Sequence, residues 1–312
     1  MPEALREREL EYEKGSPIIE MVELTKNYGR HTVVDHLTLS INSGEIFGFL
    51  GPNGAGKTTT LLMLLGLSLP TSGTVKVLGL DPVKEPLKVK SKVGYMAENM
   101  GFYGDMSAKE NLKYVAELNK LSDVESKISE VLEMVDLKEA ADKPISAFSR
   151  GMRQRLGMAE VLIKDPQIVF LDEPTLGLDP AGINTMLNFI VRLPSERGLT
   201  VILCSHLLHL VNRVAHRVGI LQKGRLLAQG SVKDLAEKTG LPDDLEAIYS
   251  HFFQGEGLEE KESVAIDKNL DEPKDKGDTA SEEKAPLGRG ESQREEENNK
   301  GPQGEKENES HH

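Results

Sequence analysis

The residues from Gly51 to Thr58, Gly-Pro-Asn-Gly-Ala-Gly-Lys-Thr, have the types and spacing of a loop that wraps phosphate. Glycines allow positive backbone φ angles, so successive N–H groups can converge on phosphate oxygens. Lys57 can bring its ammonium group to the β- and γ-phosphates, and the Thr58 hydroxyl can ligate Mg²⁺. The loop therefore predicts a nucleotide-binding protein. We assign nucleotide contacts to Gly51, Pro52, Asn53, Gly54, Ala55, Gly56, Lys57, Thr58 and Thr59.

The segments on either side of this loop are those that a phosphate loop needs. Glu45–Leu50 is a short apolar run that suits a buried strand, and Thr58–Leu65 has the composition of a helix. The N-terminus of that helix would face the bound anion. The alternative, a Gly-rich turn beside a surface lysine, would not require this order of strand, loop and helix.

A second apolar run, Ile168–Leu171, ends in the carboxylates Asp172 and Glu173. At a strand tip beside a phosphate loop, one carboxylate can hold Mg²⁺ through water and the next can polarise an attacking water. We assign the first role to Asp172 and the second to Glu173. The alternative is a solvated acidic turn after a core strand, which the phosphate loop in the same chain disfavours.

Composition divides the chain into three parts. Residues 1–16 are mostly charged, residues 17–253 carry the apolar periodicity, and residues 254–312 form an acidic tail. From position 255 onward, 18 Asp and Glu residues stand against 9 Lys and Arg residues, and no residue is aromatic. Such a segment cannot bury enough apolar surface to offset chain entropy, so we expect it to be disordered.

Charge, cysteine content and hydropathy disfavour several classes of protein. The 17–253 segment is close to charge neutrality and offers no basic face, so we expect no nucleic-acid partner. Cys204 is the only cysteine, which excludes a disulfide within the chain and favours a reducing compartment. No run approaches the roughly 18 apolar residues of a membrane span, and the N-terminus lacks the apolar core of a signal peptide. We therefore expect a cytoplasmic protein.

Strands and helices are predicted to alternate along the 17–253 segment, as in a parallel sheet. Strands are predicted at residues 18–24, 31–41, 45–50, 74–78, 92–96, 167–171, 200–204 and 217–221, the first two antiparallel. Residues 107–163 are predicted to be helical, with capping boxes that begin at Ser107 and Ser122. A hairpin turn is predicted at Lys223-Gly224 and a closing helix at 243–253.

Over essentially all of residues 17–253, the motifs and their order resemble those of the ATP-binding-cassette (ABC) ATPases. Ser149–Gln154 matches the position of the family signature. Leu178–Pro180 resembles the D-loop, and His206 resembles the switch histidine. The resemblance implies ATP and Mg²⁺ as cofactors and ATP hydrolysis as the activity.

Two further positions match the family pattern. Tyr28 lies 29 residues before Lys57, where the family places an aromatic residue that stacks on adenine, although any exposed tyrosine near a strand end would look the same. Tyr95–Glu98 lies where the family has its Gln-loop, and Glu98 stands in place of the usual glutamine. A glutamate at this position can still ligate Mg²⁺ through oxygen.

The signature also departs from the usual Ser-Gly-Gly-Gln, since Arg150 and Met152 replace a glycine and a glutamine. Together with Glu98, these changes resemble the export-type branch, which includes ATPases of drug, antibiotic and polysaccharide exporters. The residues assigned to hydrolysis are all present, so the departures do not remove the predicted chemistry.

Ser149 and Gly151 open a predicted helix whose N-terminus is suited to bind a γ-phosphate. Since the chain's own loop already holds one nucleotide, the phosphate that they meet should belong to a second subunit. The alternative is a serine N-cap and nothing more. The resemblance implies a homodimer or pseudo-dimer closed head-to-tail around two ATP molecules, with Asp179 also at the nucleotide and His206 beside Glu173.

The resemblance implies an α/β fold with a P-loop NTPase (RecA-like) core, an antiparallel β subdomain and an inserted helical subdomain at about residues 100–160. It also implies a separate polytopic transmembrane subunit docked near the Glu98 loop, with the chain peripheral on the cytoplasmic face of the membrane. The alternative is a soluble ABC-type ATPase with a regulatory or scaffold role. A kinase or GTPase is disfavoured, because Ser149–Gln154 and Leu171–Pro174 would then have no role.

Overall fold

The computed structural model of the chain describes residues 13–253. The predicted acidic tail, residues 254–312, and most of the charged extension at 1–16 lie outside the described residues.

The strands are β1 (Pro17–Tyr28), β2 (His31–Asn42), β3 (Ile46–Leu50), β4 (Ser72–Val77), β5 (Val93–Met96), β6 (Ile168–Asp172), β7 (Thr200–Ser205), β8 (Arg217–Gln222) and β9 (Arg225–Gly230). The helices are α1 (Lys57–Leu64), α2 (Pro86–Lys92), α3 (Ala108–Leu118), α4 (Val124–Met134), α5 (Arg150–Leu162), α6 (Pro180–Arg197), α7 (Leu208–Val214), α8 (Val232–Thr239) and α9 (residues 245–253). Every strand predicted from the apolar pattern is confirmed, as are the helix after the loop and the closing helix.

Six strands form the central sheet in the order β5-β6-β7-β3-β8-β9. The first five are parallel, and β9 returns antiparallel to β8 after the hairpin turn predicted at Lys223-Gly224. All residues of β3, β6 and β7 are buried, because a parallel sheet is covered on both faces. The carboxyl ends of β3, β6 and β7 lie side by side, so the loops that follow them meet at one edge.

A second sheet, of order β2-β1-β4, is antiparallel and covers one face of the central sheet. Ile19 and Leu37 of this small sheet share a core cluster with Phe47, Phe49 and Phe170 of the central sheet. The predicted pairing of the first two strands is confirmed, and so is the α/β fold with its antiparallel β portion.

Helices α3, α4 and α5 lie between β5 and β6 in the chain and form the predicted helical insertion. The capping box at Ser107 is confirmed, since its hydroxyl accepts from the Glu110 N–H and the Glu110 carboxylate accepts from the Ser107 N–H. The capping box predicted at Ser122 is wrong. Helix α4 is instead preceded by Asp123, whose left-handed backbone (φ 54°) replaces the extended N-cap that a capping box needs, and no side chain caps the helix.

Candidate nucleotide site

The phosphate loop joins β3 to α1, and its glycines are there for two physical reasons. Gly54 and Gly56 have φ angles of 81° and 98°, which residues with a Cβ atom rarely adopt. A Cβ atom on Gly51 would lie 2.3 Å from the carbonyl oxygen of Leu221, and one on Gly56 would lie 2.6 Å from that of Val33. The loop is therefore wedged between neighbouring backbones.

The hairpin turn at Gly224 supports the loop from behind. The Gly224 N–H donates to the carbonyl oxygen of Ala55 at 3.2 Å, and the Gly224 carbonyl accepts from the N–H of Asp35 at 2.9 Å. A Cβ atom here would lie 2.6 Å from the carbonyl oxygen of Val33, which also limits Gly56. Strand β2 and the β8–β9 turn thus hold the loop in place, a role that the sequence motif did not indicate.

Lys57 is the first residue of α1 and is 7% exposed. Its Nζ donates to the carbonyl oxygens of Gly51 at 2.6 Å and Pro52 at 3.0 Å. Both acceptors belong to the loop itself, so the backbone of the loop holds the ammonium group.

Thr58 and Asp172 meet at this edge of the sheet, where the Thr58 hydroxyl donates to Asp172 Oδ2 at 2.8 Å. Burial raises the pKa of Asp172, and the charges of Glu173 and Glu98 raise it further, against the lowering effects of the Thr58 hydrogen bond and of Lys57. The charges of Glu173 and Glu98 therefore act on Asp172 at this edge of the sheet. Hydroxyl and carboxylate oxygens are the donors that Mg²⁺ prefers, so these residues fit that ion.

One cavity of about 150 Å³ brings most of the predicted site together. It is lined by every loop residue from Asn53 to Thr59, together with Glu98, Asp172 and Glu173. Among residues 13–253, no group of three or more His, Cys, Asp or Glu side chains could hold a metal by itself.

Glu173 is buried at the end of β6 and faces the end of β7. Its backbone is left-handed (φ 50°), and its N–H donates to the carbonyl oxygen of Cys204 at 2.9 Å. Oε1 accepts from the N–H of His206 at 3.0 Å and from its Nδ1 at 2.7 Å. Oε2 accepts from the hydroxyl of Ser205 at 3.0 Å. The predicted pairing of Glu173 with His206 is therefore present, whereas Ser205 was missed.

The other predicted contacts do not line the cavity of this chain. Ser149 caps α5, and its Oγ accepts from the N–H of Met152 at 3.2 Å. Asp179 caps α6 in the same way through the N–H of Gly182 at 3.1 Å. Gly151 follows Ser149 in the first turn of α5. Ser149, Gly151 and Asp179 thus lie at the N-termini of α5 and α6, outside the cavity.

Tyr28, the predicted adenine contact, also lies outside the cavity at the end of β1. It is 52% exposed, and the Nζ of Lys26 lies 4.7 Å from the centre of its ring. Its hydroxyl lies 3.3 Å from the Oγ of Ser68. The ring is thus available at the surface, and the adenine contact stays a prediction.

Comparison with known proteins identifies the family. A family model described as ABC transporter matches residues 34–176. An uncharacterized ABC transporter ATP-binding protein of Bacillus subtilis is 40% identical over 247 residues, which are 79% of this chain and 78% of the relative. The chain belongs to the ABC transporter ATP-binding proteins. It is therefore an ATP-binding and ATP-hydrolysing subunit of an ABC transporter, of a family whose members dimerise and work with transmembrane partners.

Two further matches support the assignment of this ABC ATPase to the family. A bacitracin transport ATP-binding protein of Bacillus licheniformis is 43% identical over 214 residues, which are 69% of this chain and 70% of the relative. The solved structure of the ATP-binding subunit of an ABC transporter has a TM-score of 0.69 and 27% identity, and the match covers 76% of this chain and 99% of that one. None of the helices within residues 13–253 is long and apolar enough to cross a bilayer.

Proposed function

We propose that this ABC ATPase hydrolyses ATP in composite sites between two subunits and thereby drives export through a separate transmembrane subunit. The observation that carries the proposal is the division of the site. The loop, Thr58, Asp172 and Glu173 share one cavity, whereas Ser149 caps a helix outside it.

In the proposed mechanism, Lys57 exchanges its two loop carbonyls for the β- and γ-phosphates of ATP. Thr58, Asp172 and Glu98 would hold Mg²⁺, which supplies charge neutralisation to the phosphates when it is bound. Glu173 accepts a hydrogen bond from the attacking water and turns its oxygen toward the γ-phosphate. His206, whose side chain is 40% exposed, is free to leave Glu173 and contact the γ-phosphate.

The second half of each site comes from the partner subunit, either a second copy or a homologue. Ser149, Gly151 and Asp179 lie at the N-termini of α5 and α6, where N–H groups and the helix dipole favour an anion. In a head-to-tail pair, these groups would meet the nucleotide held by the other subunit's loop, and Tyr28 would stack on the adenine held by its own.

Mixing two damaged variants tests the composite site. In a dimer of Lys57→Ala subunits, both phosphate loops are damaged. In a dimer of Ser149→Arg subunits, both signature segments are damaged. A mixed dimer, however, carries both changes in one site and leaves the other intact. We expect equimolar mixing to restore about a quarter of the wild-type ATPase rate if subunits pair at random. No gain on mixing, with the wild-type chain active under the same conditions, would contradict the division of the site between subunits.

A groove of about 450 Å³ beside the Glu98 loop is our candidate docking site for the transmembrane subunit. The rings of Tyr103 and Tyr114 lie edge to face, 5.3 Å apart, and both are about half exposed. Burial raises the pKa of Glu160 in the same groove, against the lowering effect of the nearby Lys164, whose ammonium donates to the carbonyls of Lys90 and Val93. The groove therefore suits a segment that carries one apolar and one basic side chain.

Capture from solubilised membranes tests this docking site. The full chain should retain a polytopic membrane protein. Glu160→Lys should release it, because the basic side chain of the partner segment would then face a positive charge at position 160. Glu237→Lys, on the exposed face of α8, is the matched control. Equal retention by both variants would count against the groove, and absence of any membrane protein would favour the soluble regulatory alternative.

The direction of transport is proposed from two observations: the departures at Glu98, Arg150 and Met152, and the relative named for bacitracin transport. The chain would act at the cytoplasmic face of the membrane. Inside-out vesicles that contain the chain and its captured partner should take up labelled bacitracin when ATP is added. Uptake only by right-side-out vesicles with enclosed ATP would contradict export.

A further inference from the structure

Ser205, the last residue of β7, has no role in the mechanism described so far. It is 2% exposed, and its hydroxyl donates to Glu173 Oε2 at 3.0 Å while accepting from the N–H of Leu207 at 3.1 Å. A hydroxyl has a single hydrogen to donate. The Leu207 N–H occupies an acceptor lone pair, so the hydrogen of Ser205 is directed at Glu173.

The two oxygens of Glu173 have different partners. Oε1 accepts from two donors of His206, whereas Oε2 has Ser205 as its hydrogen-bond donor. Glu173 is 7% exposed and Ser205 is 2% exposed, so Oε2 would be left without a donor if the Ser205 hydroxyl were removed. Since the His206 side chain is partly exposed and Ser205 is buried, the imidazole on Oε1 is free to move, while the backbone N–H of His206 stays in place.

The backbone of Glu173 is fixed to the same strand. Its N–H donates to the carbonyl oxygen of Cys204, in register with the pairing of Asp172 and Cys204 between β6 and β7. The left-handed φ of Glu173 then turns its side chain back toward residues 205 and 206. The carboxylate is thus held at both ends by the tip of β7.

We propose that Ser205 is a positioning residue for ATP hydrolysis: its hydroxyl fixes Oε2 of Glu173, so that Oε1 is the oxygen exchanged between His206 and the attacking water. The proposal rests on the proposed role of Glu173 as the group that polarises water. It assigns the two oxygens separate duties, one structural and one catalytic.

Two substitutions that differ only in the hydroxyl test the proposal in the full-length chain. Ser205→Thr keeps the hydroxyl, and Ser205→Val replaces it with a methyl group in a side chain of the same shape. We expect Ser205→Val to lower kcat for ATP about tenfold with KM within twofold, because a hydrogen bond to a charged group is lost. Ser205→Thr should retain most of the wild-type kcat.

Thr200→Val is the matched control. Thr200 begins the same strand, is fully buried, and uses its Oγ1 to accept from the N–H of Gly44, away from the cavity. It should destabilise the chain in thermal melting and leave kcat near the wild-type value. A kcat loss as large in Thr200→Val, an unchanged kcat in Ser205→Val, or an effect on KM alone would overturn the proposal.

Glu173→Gln separates this proposal from the one on which it rests. If Glu173→Gln still hydrolyses ATP, the role of Glu173 fails and Ser205 fails with it. If Glu173→Gln is inactive while Ser205→Val is fully active, only the role of Ser205 fails.

Discussion

The side-chain amide of Gln154 donates a 2.8 Å hydrogen bond to the carbonyl oxygen of Pro174, the residue that follows Glu173. Gln154 lies in α5, the helix that Ser149 caps, and is 8% exposed. One buried hydrogen bond therefore connects the helix that carries the predicted signature to the segment that carries Glu173, the carboxylate proposed for hydrolysis. If α5 contacts the nucleotide of a second subunit as proposed, a movement of α5 would be transmitted to Glu173 through this bond.

We expect Gln154→Met to lower kcat several-fold and to reduce the free energy of unfolding by about 1–3 kcal/mol, because the Pro174 carbonyl is left without a donor. ATPase assays and thermal melting measure the two effects. Arg155→Met is the control on the same helix, since Arg155 bonds to Asp136 and to the carbonyl of Val135 instead. An equal kcat loss in both variants would show that general loosening of α5 is responsible.

Glu173→Gln should retain ATP binding and accumulate an ATP-bound dimer, because the amide preserves shape while losing the charge that polarises water. We expect turnover to fall at least about 100-fold. Equilibrium binding of labelled ATP, size-exclusion chromatography and phosphate release measure the three properties. Turnover close to that of the exposed control Glu237→Gln would refute the assignment.

Gly224→Ala should weaken ATP binding although residue 224 does not line the cavity. Its Cβ atom would collide with the Val33 carbonyl and push the turn away from Ala55, which we expect to cost about 1–3 kcal/mol of stability. Gly198→Ala is the matched control, since Gly198 also has a positive φ but no atom lies within 4 Å of its added Cβ. The idea fails if both variants bind ATP equally well.

Cys204 should resist alkylation in the native chain. Burial raises the pKa of its thiol well above the ordinary value, and the charge of Asp172 adds to the effect. Because the thiolate is the reactive form, a raised pKa leaves less of it at a given alkaline pH. Iodoacetamide labelling at pH 8 should be slow in native protein and fast in urea. Rapid native labelling that rises between pH 7 and 9, as for an exposed thiol, would contradict the buried position.

The phosphate loop and the two carboxylates could be predicted because each follows the end of an apolar run. Such a run in the sequence indicates a buried strand. Ser205 also ends such a run, and its place beside His206 was the available signal. Gln154 and Gly224 act through backbone atoms distant in the chain, and side-chain types do not report such contacts. The wrong cap at Ser122 has a similar cause, since composition does not show the left-handed backbone at Asp123.

The two hydrogen bonds from Lys57 to Gly51 and Pro52 have a thermodynamic consequence. In the proposed mechanism, Lys57 exchanges these two partners for phosphate oxygens when ATP enters, so its first hydrogen bonds are not new ones. Calorimetry should therefore record less heat than the number of new phosphate contacts suggests. The Lys57 ammonium group is thus a hydrogen-bond donor to its own loop as well as the proposed donor to ATP.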